Sequence, residues 1–112
     1  MFHIDLLIAI RHALRRSRVR TDILLALLQV ARASLPDIVR ATGADPRNVH
    51  LALHGDGKRY RIDEALVALG LVEVSVAEGV NVYVLTPYGQ ATAKLLQQDV
   101  MRRMAAQPVI RV

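Results

Sequence analysis

Two short helices joined by a very tight turn are the sequence feature that most constrains this fold. Ser34 and Asp37 have the spacing of a capping box, which predicts a helix starting directly after Ser34, and Gly43 is placed to end that helix. Asp45 and Pro46 match the N-cap and first position of a second helix. Because so short a turn makes two helices cross steeply around a shared core, the pattern predicts a helix-turn-helix.

The apolar residues of this motif have the spacing that a shared core requires. The predicted buried side consists of Ile38, Val39, Ala41, Val49, Ala52 and Leu53. The second helix, predicted from Pro46 to His54, then turns an opposite face away from the core, and that face carries Arg47, Asn48, His50, Leu51 and His54. Since the major groove of duplex DNA accepts an α-helix, and Arg and Asn side chains match the edges of guanine and adenine, this face is predicted to contact DNA.

The positive charge of the chain is concentrated around the same motif. Residues 11–61 carry eleven basic and four acidic side chains, whereas residues 62–112 carry four and five, within a net charge of +5. Basic side chains near phosphates release condensed counterions, so this asymmetry indicates a polyanionic partner. The residues predicted to hold phosphates are Arg16, Arg18, Arg20, Lys58, Arg59 and Arg61.

Two further helices are predicted before the helix-turn-helix. Apolar residues at helical spacing predict one over residues 3–16 and another from residue 18 to about 31, with Ser17 as its N-cap. The apolar stripes of the N- and C-terminal helices either cover the domain or pack against a second copy, and the second interpretation is favoured. The predicted dimer interface consists of Leu6, Leu7, Ile10, Leu14, Leu96, Val100 and Met104.

The second half of the chain changes its pattern from helical to alternating and back. Residues 62–69 predict a helical segment that ends at Gly70. The β-branched runs VEVSV and VNVYVL, separated by AEG, predict a β-hairpin, and Thr86 and Pro87 suit the start of a last helix. The chain is expected to be one mainly α-helical domain with a small hairpin: an N-terminal helix over 1–16, a core over 17–86, and a C-terminal helix and tail over 87–112.

The order of these elements resembles the winged helix-turn-helix transcriptional regulators of the MarR/PadR-like group, which are small prokaryotic and particularly archaeal proteins. The segments that carry the resemblance are LPDIVRATGADPRNVHLAL, LVALGLVEV and VYVLTPYG. It implies that the second helix of the motif enters the major groove, that the hairpin tip touches DNA, and that the terminal helices form a homodimer. The tip, residues 77–81, departs from the pattern because it has one acid and no cation, so Lys58, Arg59 and Arg61 are expected to supply backbone contacts instead.

The sequence argues against several kinds of chemistry. There is no cysteine, which excludes thiolate metal sites and thiol catalysis. His50 and His54 lie four residues apart without a further ligand pattern, so no metal and no cofactor are expected. Residues 55–58 lack the spacing of a phosphate-binding loop, which argues against nucleotide hydrolysis. Asp63 and Glu64 are interpreted as a solvated helix start, and no enzymatic activity is expected.

The leading hypothesis is a cytoplasmic homodimer that binds double-stranded DNA, either at specific sequences or generally, and regulates transcription. No apolar run approaches the roughly 18–20 residues of a membrane span, and Asp5 interrupts the apolar start of the chain, so neither a membrane segment nor a signal peptide is expected. The alternative is a winged-helix protein-interaction module in a transcription, replication or chromatin assembly. Its support is the valine-rich hairpin, which lacks cations and contains Val74, Val76, Val82 and Val84.

Overall fold

The described part of the chain folds into five α-helices and a small antiparallel sheet. The computed structural model describes residues 4–58 and 61–106. In chain order the elements are α1 (Ile4–Arg16), α2 (Arg18–Gln29), β1 (Ala33–Ser34), α3 (Leu35–Thr42), α4 (Pro46–His54), a 3₁₀ turn (Ile62–Glu64), β2 (Val72–Ala77), β3 (Val80–Leu85) and α5 (Pro87–Ala106). This arrangement confirms the predicted winged-helix class. None of the helices in these two ranges is long and apolar enough to cross a bilayer.

The predicted helix boundaries at the centre of the fold are confirmed by their caps. Ser34 and Asp37 form both hydrogen bonds of a capping box at the start of α3, and Gly43 ends that helix with φ of +70°. The Asp45 carboxylate accepts a hydrogen bond of 2.8 Å from the backbone N–H of Arg47, with Pro46 in the first turn. Each cap satisfies backbone groups that a helix leaves unpaired at its ends, so the local sequence alone fixes α3 and α4.

Residues 62–69 do not form the predicted helix. A three-residue 3₁₀ turn is followed by further turns, and Gly70 adopts a φ of +75° before β2. The reason is tertiary: the backbone N–H groups of Leu66 and Val67 donate to the carbonyls of Ala52 and Leu53, at 3.0 and 3.1 Å. These carbonyls belong to the last turn of α4, where a helix lacks internal partners. The segment thus covers the end of α4 instead of coiling on itself.

The sheet has the strand order β1-β3-β2, and every pair in it is antiparallel. The predicted hairpin is confirmed, with Ala77 opposite Val80 and a two-residue turn of Glu78 and Gly79. Both turn residues have positive φ, which the favoured type I′ hairpin turn requires. Strand β1 was not predicted; it pairs Ala33 with Tyr83 and Ser34 with Val82 on the other side of β3.

Helix α2 lies at the centre of the core and packs against α1, α3, α4, α5 and β3. Its Ile23 and Leu24 are fully buried beside Ile38 of α3 and Leu53 of α4. Ala41, which was predicted to join this core, is exposed, because the side of α3 that faces the interior carries Ile38, fully buried, with Leu35 and Val39 partly buried. The result is a helical body with the hairpin attached along β3.

Candidate nucleic-acid interface

Helix α4 has one buried side and one side open to solvent. Val49, Ala52 and Leu53 are fully buried, as predicted, and hold the helix on the body of the domain. Arg47 and Asn48 are exposed in its first turn, and His50 follows them on the solvent side. The N-terminal half of α4 therefore presents a cationic side chain and an amide beyond the surface of the domain.

The C-terminal half of α4 differs from the prediction. His54 does not face away from the core: it is half-buried, and its Nε2 lies 2.7 Å from the Tyr83 hydroxyl on β3. Leu51 is also half-buried. The rings of His50 and His54 lie 5.0 Å apart. Burial, and to a lesser degree the charge of His50, lowers the pKa of His54, so the neutral imidazole is the favoured form beside Tyr83.

The predicted phosphate contacts occupy three different environments. Lys58 is exposed, and Arg18 is exposed with Asp22 at 3.7 Å. Arg16 and Arg61 are exposed, but they pair with Glu64 and Asp63 of the 3₁₀ turn, respectively. Arg59 lies outside the described residues. Four of the six predicted residues are thus placed on the surface.

Arg20 requires a correction, because its side chain is only 3% exposed and cannot reach a phosphate in this structure. Its Nη1 donates to the backbone carbonyl of Ala13 at 2.9 Å and lies 3.5 Å from the Glu64 carboxylate. Glu64 also accepts from Arg16 at 3.1 Å, and its side chain is 15% exposed. The interpretation of Glu64 as a solvated residue is therefore wrong. Arg20 and Glu64 join the α1–α2 junction to the 3₁₀ turn.

The loop after α4 folds back tightly against the end of the helix. Gly55 has a φ of +73°, and a Cβ atom there would lie 2.9 Å from the Cα of Ile62 and 3.1 Å from the carbonyl oxygen of Arg61. Only glycine fits this close approach of two backbone segments. Arg61 is consequently positioned beside the C-terminal end of α4, although it follows His54 by seven positions in the chain.

The predicted dimer residues divide into two groups. Ile10 is buried in the core of its own chain, and Leu6, Leu14 and Leu96 pack partly against that core. The members that remain exposed are Leu7, Val100 and Met104. Three further apolar residues of the same helices are exposed without having been predicted, namely Ile8, Leu95 and Met101. Each is the sequence neighbour of a predicted member and so lies about 100° around the helix from it, outside the stripe that the helical spacing selects.

The hairpin tip exposes two valine side chains and one acidic side chain. Val76 is 70% exposed, Val80 is also exposed, and Glu78 lies in the turn between them. Valines 80, 82 and 84 alternate along β3 and share the face opposite to the one on which Tyr83 is buried. Within residues 4–58 and 61–106, no group of three or more histidine and acidic side chains is placed to hold a metal ion.

Comparisons with known proteins agree with this architecture. A family model described as EarA-like matches residues 10–96. The uncharacterized protein MJ0905 of Methanocaldococcus jannaschii is 36% identical over 89 residues, which cover 78% of this chain and 80% of that protein. BpsR of Bordetella bronchiseptica, described in a study of how 6-hydroxynicotinic acid regulates its DNA binding, is similar in structure with a TM-score of 0.60 at 20% identity, over 97% of this chain and 87% of BpsR.

The structural similarity and the sequence similarities support different conclusions. The similarity to BpsR, at 20% identity, shows a shared fold, which confirms the winged-helix part of the predicted resemblance. The MarR/PadR-like subgroup stays a prediction. The family model covers most of the chain, and the archaeal relative aligns over most of both sequences. The chain belongs to the EarA-like family.

Proposed function

We propose that this chain is a duplex-DNA-binding transcription regulator that acts in the cytoplasm as a homodimer and carries no catalytic activity. The observation that supports this most is helix α4, which buries Val49, Ala52 and Leu53 while Arg47 and Asn48 project from its first turn. A helix held in this way can enter a major groove with its N-terminal residues first, as recognition helices of helix-turn-helix proteins do. The DNA binding named for the structurally similar BpsR supports the same assignment.

The surrounding charge fits a DNA partner. Lys58 and Arg61 lie in the segment that returns along the end of α4, and Arg16 reaches the same 3₁₀ turn from α1. Cations beside a recognition helix can hold the phosphates next to the groove and fix the position of the helix. Of the predicted arginines that the structure describes, Arg18 has the most exposed side chain, and it adds charge at the start of α2.

The homodimer is proposed from the exposed apolar residues of α1 and α5. Beyond Ala93 and Leu96, which pack on the core, the C-terminal half of α5 carries the exposed apolar residues Val100, Met101 and Met104. Apolar surface of this kind is typical of subunit interfaces. A symmetric dimer would present two α4 helices to half-sites about 34–36 Å apart, and so would select an inverted repeat.

DNA binding is tested by fluorescence anisotropy with duplexes selected from a random pool. Replacing Arg47 and Asn48 by alanine removes the proposed base contacts, so affinity for the selected site should fall at least about tenfold, with less change on unrelated duplex. The matched control is Arg103→Ala, which removes an exposed arginine of α5 that pairs with Asp99. Equal loss for both variants, or no binding by the wild-type protein at low salt, would contradict the proposal.

The phosphate contacts have a separate readout. The slope of log affinity against log salt should flatten by roughly 0.9 for each phosphate-holding cation removed, so Lys58→Gln with Arg18→Gln should reduce it by roughly two. For the dimer, sedimentation should give twice the mass of the chain, and Met104→Lys should shift the equilibrium toward monomer. A monomer at micromolar concentration would contradict the homodimer but not DNA binding.

A second candidate function is a protein-interaction module, and the hairpin is the observation that favours it. An exposed Val76 and Val80 beside Glu78 suit a partner protein better than a phosphate backbone. This candidate predicts that Val76→Ser with Val80→Ser abolishes capture of the partner while leaving DNA affinity unchanged. Absence of DNA binding by the wild-type protein at low salt would favour it over the first proposal.

A further inference from the structure

The 3₁₀ turn brings together two arginines that are far apart in the sequence. Arg16 at the end of α1 pairs with Glu64 at 3.1 Å. Arg61, directly before the turn, pairs with Asp63. Both arginines are exposed, and both were predicted from sequence to hold phosphates. The turn thus brings together two cations that are proposed to bind DNA, and each of them already pairs with a carboxylate of the same chain.

The two carboxylates of the turn have different surroundings. Glu64 is largely buried and also lies within 3.5 Å of the buried Arg20, so it holds the α1–α2 junction together. The Asp63 side chain is 67% exposed, and that of Arg61 is 62% exposed. Structural support from Glu64 therefore does not require Asp63. Asp63 is a carboxylate at the surface whose contact is with a cation that the proposed function assigns to DNA.

The contact between Asp63 and Arg61 has the geometry of a phosphate contact. Arg61 donates through Nε to one carboxylate oxygen and through Nη2 to the other, each at 3.1 Å. The planar guanidinium offers the same pair of donors to two oxygens of a phosphate. The pair also lies near α4, because the backbone of Arg61 and Ile62 packs on Gly55, the C-cap of that helix.

We propose that Asp63 competes with DNA phosphates for Arg61 and thereby limits the affinity of the protein for duplex DNA. This inference rests on the proposed DNA-binding function. A phosphate that approaches the end of α4 meets an arginine whose two donors are already engaged and a negative charge beside them. Binding there requires Arg61 to exchange one anion for another, so the gain from this contact is small. Because this contact is with a phosphate and not with a base, the competition reduces the binding free energy by the same amount for specific and non-specific DNA.

The test is Asp63→Asn in the full chain, measured by anisotropy with one duplex over a series of salt concentrations. Affinity should rise about threefold to tenfold at roughly 0.1 M salt, and the salt slope should steepen by roughly 0.9, because one more cation becomes available for a phosphate. The matched control is Asp99→Asn, which makes the same change in a carboxylate that pairs with Arg103 on α5. That variant should bind DNA like the wild-type protein.

A third variant tests whether Asp63 acts through Arg61. In an Arg61→Gln background the added Asp63→Asn change should gain less than about twofold. An equal gain with and without Arg61, an equal gain for Asp99→Asn, or no gain at all would overturn the competition while leaving DNA binding established by the wild-type titration. If neither the wild-type protein nor Asp63→Asn binds duplex at low salt, the proposed function and the competition fail together.

Discussion

Gly89 in the first turn of α5 allows the sharpest test of how this fold is built. A Cβ atom at this position would lie 1.9 Å from the carbonyl oxygen of Leu71 and 2.8 Å from its carbonyl carbon. That carbonyl accepts a hydrogen bond from the backbone N–H of Thr86 at 3.1 Å. The Thr86 hydroxyl donates to the Gly70 carbonyl at 2.6 Å and accepts from the Gly89 N–H at 2.9 Å. Gly89→Ala therefore places a methyl group inside the junction between the hairpin and α5.

The expected cost follows from the size of the overlap. Relieving it moves backbone by roughly 1 Å, since Cβ atoms rarely approach other heavy atoms closer than about 3 Å. Such a shift weakens the Thr86 hydrogen bonds, at about 1 kcal/mol each, and separates the fully buried Leu71 from its neighbours. Alanine gains about 1 kcal/mol over glycine in helix propensity. The net loss in unfolding free energy should be about 2–4 kcal/mol, which for a chain of this length lowers Tm by roughly 8–17 °C.

Urea unfolding followed by circular dichroism at helical wavelengths measures this loss. The control is Gly43→Ala, where nothing lies within 4 Å of an added Cβ and only the positive φ is unfavourable. That variant should lose about 1 kcal/mol. Helix propensity alone predicts the opposite sign for Gly89→Ala. A Gly89→Ala protein as stable as the wild type, or more stable, would refute the close packing of α5 against Leu71.

Three further predictions concern the polar contacts of the fold. Glu64→Gln removes the carboxylate beside the buried Arg20 and should cost about 1–3 kcal/mol of unfolding free energy by urea titration; an unchanged midpoint would show that Arg20 does not depend on it. The lowered pKa of His54 means that the unfolded chain takes up a proton first as the pH falls below the ordinary value of 6.5. Thermal stability should therefore decline as the pH falls below this ordinary value, and the decline should be smaller in His54→Gln; equal pH dependence of the two proteins would contradict it. Ser34→Ala should lower stability by about 1 kcal/mol through loss of the capping box, whereas Ser34→Asp should retain most of it.

Local signals in the sequence were sufficient for the helix-turn-helix and the hairpin. The bounds of α4 follow from Asp45 and Pro46 at its start and Gly55 at its end, because caps and glycine turns are decided by neighbouring residues. The hairpin follows from alternating valines around a two-residue turn. These elements needed no knowledge of distant parts of the chain.

Features that depend on distant partners were missed. Strand β1 has two residues, and it exists because β3 offers an edge on which Ala33 and Ser34 can pair. The segment after Arg61 is not helical because its N–H groups meet the end of α4. For Arg20 a signal was present, since it shares a helical face with Ile23 and Leu27, both buried, and an arginine on such a face is placed to pair inside the protein.

The structure also changes which part of α4 is expected to read DNA. Three contacts fix its C-terminal half: the buried Leu53, the hydrogen bonds from Leu66 and Val67 to the last carbonyls, and the contact between His54 and Tyr83. A side chain engaged in this way must lose a contact within the fold before it can contact a base, so its net contribution to the binding free energy is small. Discrimination between sequences should therefore reside in the first turns of α4, and substitutions there should change specificity without changing stability.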